Sequence, residues 1–349
     1  MKIAITGCGS EGAMGIIKSL RHAYGENVFI IGLDTDPYIA NQAFVDKFII
    51  PPKRDADNFL EFIIAMLVER EVDVFWPIPT RDLDFFALNK LAIENATPAK
   101  VMVSALHGIA TANHKGALYR ALEHILPESV PEYIEVFSKE EMKEAVFKLG
   151  YPEKRICLKK PVGAGAQGFR ILDAKHDKWE LLVNSAGSNI ATWEEVESAL
   201  DDKTAITPYL VTEYLPGEEW DSDALCDQGQ CLAIVTKHHL KMHYGMGQTT
   251  AIKQNQLLEE YTREIIRGLK LDYINQVSFK KDCKGDFKVI EINPRVPGTI
   301  VENLFVNTNF AQMAVDLLMG KTVVPYNLDT NTDVLVSRYW SETIIARHA

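Results

Sequence analysis

The chain has 349 residues, of which 47% are apolar and 24% charged, and its formal net charge is −11. That length exceeds what one hydrophobic core usually serves, so two or three packed units of a soluble globular protein are expected, and the acidic balance argues against nucleic acid as a main partner, because backbone binding needs concentrated Lys and Arg. No run of about 18 uncharged apolar residues predicts a membrane span, and five scattered cysteines without a CxxC pair indicate neither a disulfide framework nor a zinc site, which fits a reducing cytoplasm.

The first hundred residues alternate short β-rich runs with amphipathic stretches. Strands are predicted over 2–6, 28–34, 47–50, 74–77 and 100–103, and helices over 12–23, 57–70 and 82–95. This alternation implies a parallel, doubly wound sheet. Gly7-x-Gly9-x-x-Gly12 follows the first strand directly and Asp34 ends the second, which meets the sequence pattern of a dinucleotide fold. The motif admits two readings: a nicotinamide-dependent oxidoreductase, or a tight strand-to-helix turn whose helix N-terminus faces an anionic substrate group. Gly9 in this turn, with Thr80 and Asp82 after the fourth strand, lies at the carboxyl end where open sheets bind ligands, so these three are candidate substrate contacts. Helix capping is an equal, plainer role for Thr80 and Asp82.

Further along, a helix over 139–148 precedes a strand over 155–160, a Gly-rich turn over 161–168 and a strand over 170–172, which together read as a hairpin. Strands follow over 209–214 and 224–233, then an amphipathic helix over 257–269. A second hairpin, 276–282 and 287–293, closes through Lys284-Gly285-Asp286. His238, His239 and His243 raise the question of a metal site, but the glycines after them read as a loop. Boundaries near 112 and 208 divide the chain into 1–111, 112–207 and 208–349.

Three stretches carry chemistry. In Lys288-Val289-Ile290-Glu291-Ile292-Asn293-Pro294-Arg295, strand alternation sends Ile290 and Ile292 to one face and Glu291 and Asn293 to the other. A carboxylate and an amide oxygen two residues apart are hard ligands suited to Mg²⁺, and Arg295 adds a guanidinium beside them, where it could clamp a phosphoryl group. In Ile156-Cys157-Leu158-Lys159-Lys160-Pro161, Lys160 ends an otherwise apolar row, and the Gly163–Gly168 loop can bring backbone N–H groups to phosphate oxygens. Glu213-Tyr214-Leu215-Pro216-Gly217-Glu218-Glu219 has the form of a hinge with free backbone groups for an adenine edge and a carboxylate for ribose hydroxyls. Alone, each piece also reads as a solvated strand end, a flexible tip or an acidic surface turn.

In this order and spacing, Lys-Pro with a Gly-rich loop, Glu-Tyr-Leu-x-Gly-x-Glu and Glu-Ile-Asn-Pro-Arg resemble the ATP-grasp superfamily. The chain looks most like single-unit relatives of the carbamoyl-phosphate synthetase large chain. The resemblance implies a Rossmann-like parallel-sheet domain followed by the two α+β lobes of an ATP-grasp fold, with 1–111 the pre-ATP domain, 112–207 the lid subdomain and 208–349 the metal- and nucleotide-binding lobe. It implies ATP with Mg²⁺, or Mn²⁺ as an alternative. Lys115 and Lys160 would contact phosphates, Gly165 and Gly168 would belong to the closing loop, and Glu213, Tyr214 and Leu215 would line adenine, with Glu219 at the ribose. Glu291 and Asn293 would be metal ligands, Arg295 would steady the transferred phosphoryl group, and Lys237 would lie near the reacting end of ATP. Two departures stand out: Ser278 holds a position where relatives carry Gln, Asp or Glu as a further metal ligand, and Asn113-His114-Lys115 lacks the usual Asp.

The activity so implied is an ATP-dependent ligase that activates a carboxylate as an acyl phosphate and joins it to an amine. Its partners would be small-molecule carboxylate and amine substrates, and similar enzymes are commonly homodimers. The alternatives are the nicotinamide oxidoreductase above and a non-catalytic MgATP-binding module.

Overall fold

A computed structural model describes residues 1–163, 168–177, 179, 183, 189–201, 206, 208–243 and 245–345. The N-terminal run forms β1 (Lys2–Thr6), α1 (Glu11–Tyr24), β2 (Phe29–Leu33), β3 (Lys47–Ile49), α2 (Phe59–Glu69), β4 (Val74–Trp76), α3 (Thr80–Ala96) and β5 (Lys100–Val101). The strands make a parallel sheet of order β3-β2-β1-β4-β5. Ile3, Ala4 and Ile5 of β1 are all buried, as expected of a central parallel strand covered on both faces. Helix α2 turns Phe59, Ile63, Met66 and Leu67 inward at helical spacing, and Phe86 of α3 meets Phe75 of β4 edge-on, with ring centroids 4.9 Å apart.

The glycine turn is explained by packing. Gly7 has φ +60°, and a Cβ there would lie 2.3 Å from Pro79 Cγ. A Cβ on Gly15 would lie 2.4 Å from Ile300 Cγ2, and one on Gly12 3.3 Å from the Val296 carbonyl. The helix N-terminus thus approaches the 296–301 segment at a distance only glycines allow.

Beyond residue 105 come α4 (Leu106–Asn113), α5 (Lys115–Ile125), β6 (Tyr133–Val136), α6 (Lys139–Lys148), β7 (Ile156–Lys159), β8 (Arg170–Leu172), β9 (Ile190–Ala191), α7 (Trp193–Leu200) and β10 (Tyr209–Glu213). Strands β6 to β10 form a sheet of order β6-β10-β7-β8-β9, in which β7 and β8 pair antiparallel, as a hairpin requires. Its core is built by Val136, Val146, Ile156, Leu158, Trp193 and Val211.

The remainder forms β11 (Glu219–Asp227), β12 (Gln230–His243), β13 (Met246–Lys253), α8 (Gln256–Leu269), β14 (Tyr273–Lys281), β15 (Phe287–Asn293), α9 (Phe310–Leu318), β16 (Tyr326–Asn327) and β17 (Asp333–Ser337). The sheet order is β15-β14-β11-β12-β13-β17, with β16 paired to β12. The run expected as one strand over 224–233 reverses at Gln228-Gly229, both at positive φ (48° and 76°), and so contributes to two strands. The histidines read as lying in a loop are on β12, where His238 and His239 pair with Ala251 and Thr250 of β13.

Two compact units result, Met1–Ala112 with Trp220–Ser278 and Ile292–Ala349, and Asn113–Glu219 with Phe279–Glu291. Among the described residues no helix is long and apolar enough to cross a membrane. Gly7→Ala is expected to lower thermal stability by more than the roughly 1–2 kcal/mol of left-handed backbone strain, because the methyl also collides with Pro79. Gly320→Ala, with φ +74° and open space around it, should cost the strain alone. Paired melting curves of the two variants check this.

Candidate active site

In the unit containing 113–219, four elements bring together a set of charges. His114 caps α5, its Nδ1 accepting from the Ala117 N–H at 3.1 Å. That cap places Lys115 in the first turn, where a cation is disfavoured by the helix dipole. Its N–H donates to the Pro161 carbonyl at 2.8 Å, and its Nζ lies 3.3 Å from Glu291 Oε2. Glu219 pairs with Lys280 at 2.9 Å.

Lys159, which the sequence reading did not single out, completes this set. Burial pushes its ammonium below the ordinary lysine range, against the opposing pull of Glu291 and Glu219. Lys160 is exposed, and its side chain lies over Gly168, where a Cβ would be 2.7 Å from Lys160 Cδ. Gly165 lies outside the described residues.

Glu213 ends β10. Burial raises its carboxyl pKa, although Oε1 accepts from the Glu132 N–H at 2.9 Å. Its own N–H is bonded to the Glu132 carbonyl at 3.0 Å. Leu215 is buried, and the Arg155 guanidinium lies 5.5 Å from the Tyr214 ring centroid. Gly217 approaches β14 so closely that a Cβ would be 2.5 Å from Lys281 Cβ, and its N–H donates to the Lys281 carbonyl at 3.0 Å.

In the other unit, a second set centres on Arg295. Its Nε donates to Thr80 Oγ1 at 3.0 Å, Nη1 to the Val296 carbonyl at 2.7 Å and Nη2 to Asn293 Oδ1 at 3.2 Å. Asn293 Nδ2 reaches Gln276 Oε1 at 3.5 Å, and Gln276 Nε2 donates to Asp223 Oδ1 at 3.0 Å. Lys237 closes the series. It is fully buried, with Nζ 2.6 Å from Asp223 Oδ2 and 3.0 Å from the Thr299 carbonyl, and with Glu302 Oε2 at 3.7 Å.

Ser278 Oγ donates to Asp221 Oδ1 at 2.7 Å, and His239 Nε2 lies 2.8 Å from Asp221 Oδ2. Burial raises the pKa of Asp221, yet His239 and the Ser278 hydroxyl hold it below the usual carboxylate range. His238 stacks on Trp220, with ring centroids 4.7 Å apart. Among the described residues no three His, Cys, Asp or Glu side chains are grouped to hold a metal. Glu291 and Asn293 fit Mg²⁺ by chemistry: both are hard oxygen donors and occupy alternate positions of β15.

Thr80 opens α3 but makes no capping bond, and neither does Asp82; Thr80 Oγ1 instead accepts from Arg295. At the glycine turn, the Gly9 N–H donates to Asp34 Oδ2 at 2.8 Å. A pyrophosphate would need that N–H, and a ribose that carboxylate.

The sequence family described as "ATP-grasp in the biosynthetic pathway with Ter operon" matches residues 205–340. Among solved structures, an N5-carboxyaminoimidazole ribonucleotide synthetase in its ADP complex is similar with a TM-score of 0.68, covering 96% of this chain and 80% of that one at 14% identity. The chain has the ATP-grasp fold. An L-amino acid ligase from Bacillus licheniformis gives a TM-score of 0.64 at 16% identity, with 91% of this chain and 74% of that one covered. In sequence, the chain is 26% identical over 198 residues to a carbamoyl phosphate synthase large chain of Agathobacter rectalis, covering 54% of this chain but only 17% of that protein's length.

Removing the Lys237 cation strands two buried carboxylates, so Lys237→Met is expected to cost about 3–5 kcal/mol in urea unfolding. Neither oxygen of Glu302 has a hydrogen-bond partner among the described residues, and burial raises its pKa. A raised carboxyl pKa stabilises the fold below the unfolded value and loses that contribution as pH rises through the folded one. Glu302→Gln should therefore match or exceed the natural chain in stability at pH 8 and lose that advantage toward pH 4, as unfolding curves at both values would show.

Proposed function

We propose that the chain is an ATP-dependent ligase that converts a carboxylate into an acyl phosphate and joins it to an amine, releasing ADP and phosphate. The observation that carries this reading is the charge set in which Lys115, Lys159 and Lys280 face Glu291 and Glu219. Three cations around two carboxylates, in a chain of net charge −11, leave positive charge for a polyanion such as a triphosphate. Lys115 and Lys159 would hold phosphate oxygens, with Lys160 and Gly168 contributing from the adjoining loop, and Glu213, Tyr214 and Leu215 would line the adenine with Glu219 at the ribose.

Glu291 and Asn293 would hold Mg²⁺, which neutralises phosphate charge when bound. The Ser278 hydroxyl donates a hydrogen bond to Asp221 and would offer a metal only a neutral oxygen. Arg295, aligned by its bonds to Thr80 and Asn293, would steady the transferred group. Charge placement and alignment are what phosphoryl transfer asks of a protein, since no covalent nucleophile is needed. Lys237, placed by sequence near ATP, would act through the bonds that orient Asn293 and Arg295.

Two similar proteins were solved with ADP or named for ligation of amino acids, which supports this reading over the nicotinamide one. The test is ADP release from MgATP in the presence of carboxylate and amine mixtures. Glu291→Ala should lower turnover at least a hundredfold, and Lys159→Met should raise the KM for ATP about tenfold or more. Unchanged turnover in Glu291→Ala would remove the metal assignment. MgATP binding without ADP formation from any mixture would favour a non-catalytic module.

A further inference from the structure

At the carboxyl edge of the parallel sheet lies a charge cluster that the reading above leaves without a role. Asp82, in the first turn of α3, is only 7% exposed, yet its Oδ1 has no hydrogen-bond partner among the described residues. Two guanidiniums approach that same oxygen without bonding it: Arg54 Nε at 3.6 Å and Arg81 Nε at 3.8 Å. Arg54 comes from the segment after β3, and Arg81 precedes Asp82 on α3. Their side chains are 46% and 79% exposed, and the Arg54 guanidinium lies 5.6 Å from the Phe85 ring centroid. Asp34 adds a second carboxylate within electrostatic range of Asp82.

A buried carboxylate oxygen without a donor is costly, and a charged partner just beyond bonding distance leaves much of that cost uncompensated. A donor from a ligand would remove it. The arginines, meanwhile, keep N–H groups turned to solvent in the fork geometry that matches a carboxylate. An ammonium beside a carboxylate, on one small molecule, satisfies both halves. Next to this cluster, Thr80 Oγ1 is already bonded to Arg295, the residue assigned to the transferred phosphoryl group.

We propose that Asp82, Arg54 and Arg81 form the subsite for a zwitterionic substrate, a free amino acid or a molecule ending in one, with its ammonium on Asp82 Oδ1 and its carboxylate on the two guanidiniums. The proposal rests on the ligase reading and names one substrate class for it. Asp34 keeps the Gly9 N–H occupied and so shapes the neighbouring turn instead of binding a phosphate.

The experiment measures MgATP binding by titration, and then ADP release with each of the twenty common amino acids, on the full chain and on Asp82→Asn, Arg54→Gln and Arg81→Gln. At least one amino acid should stimulate release. Asp82→Asn should raise its KM at least tenfold, and each arginine variant about three- to tenfold, with the KM for ATP moved far less. The N-acetyl derivative should lose the dependence on Asp82 and the methyl ester the dependence on the arginines. The exposed arginines give variants expected to fold even if Asp82→Asn does not. If MgATP binds and no amino acid stimulates release, or if one does and its KM stays within twofold in all the variants, the subsite is wrong while the ligase reading stands. If MgATP does not bind, the ligase reading fails and this subsite falls with it.

Discussion

One buried cation organises the strand ends that carry the candidate chemistry. Lys237 sits on β12 with no exposure to water, bonded to Asp223 on β11 and to the Thr299 carbonyl. Taking an ammonium and a carboxylate out of water costs several kcal/mol per ion, and their attraction repays that only when further hydrogen bonds complete the site. Those bonds are present: Asp223 also accepts from Gln276 and Asn303. From Gln276 the contacts run to Asn293, from Asn293 to Arg295, and from Arg295 to Thr80 at the start of α3. A polar series of this kind contributes little net stability compared with apolar packing. Its effect is to leave Arg295 one orientation, because each of its three donor groups already has an acceptor.

The opening glycines show how one motif can serve a different purpose. In a dinucleotide site the glycines clear space for a pyrophosphate and leave N–H groups free to meet it. Here the space is filled from within: Gly12 and Gly15 let α1 close on the 296–301 segment, Gly7 makes room for Pro79, and the Gly9 N–H is held by Asp34. Arg295 immediately precedes the stretch that α1 packs against, and Thr299 lies within it. The tight turn at the N-terminus and the polar series thus constrain the same short segment.

Much of this was legible in the sequence, and the misses have local causes. The parallel sheet followed from strand–helix alternation, and the last hairpin from Lys284-Gly285-Asp286, because both are signals a few residues long. The reversal at Gln228-Gly229 was hidden because Gln is an uncommon residue at positive φ and the β-rich runs on either side, 224–226 and 231–233, read as one. Lys159 was passed over because period-two counting gave the cleft to Lys160. The count put Ile156 and Leu158 correctly in the core, but β7 ends at Lys159, and past the ladder the alternation no longer governs where a side chain points. Arg54 lies in an irregular segment, where no periodicity signals a role. The bare oxygen of Asp82 belongs to no pattern at all, since an unsatisfied atom is defined by its neighbours in space.

Ser278 shows why a departure from a family's pattern has to be judged by its contacts. Where relatives carry Gln, Asp or Glu, a serine offers a neutral oxygen on a shorter side chain and, compared with Asp or Glu, one negative charge fewer. The hydroxyl proton is committed to Asp221, whose other oxygen is taken by His239. Those partners hold the Asp221 carboxyl below the usual range, and the Ser278 hydroxyl hydrogen is directed at it. What remains is a neutral oxygen with free lone pairs, able to complete a coordination shell but not to balance charge. Of the residues proposed as ligands, Glu291 would be the sole anion, and it is already paired with Lys115 at 3.3 Å, so a cation there would compete with an ammonium. A carboxylate at position 278 would draw a cation more strongly than the serine hydroxyl does.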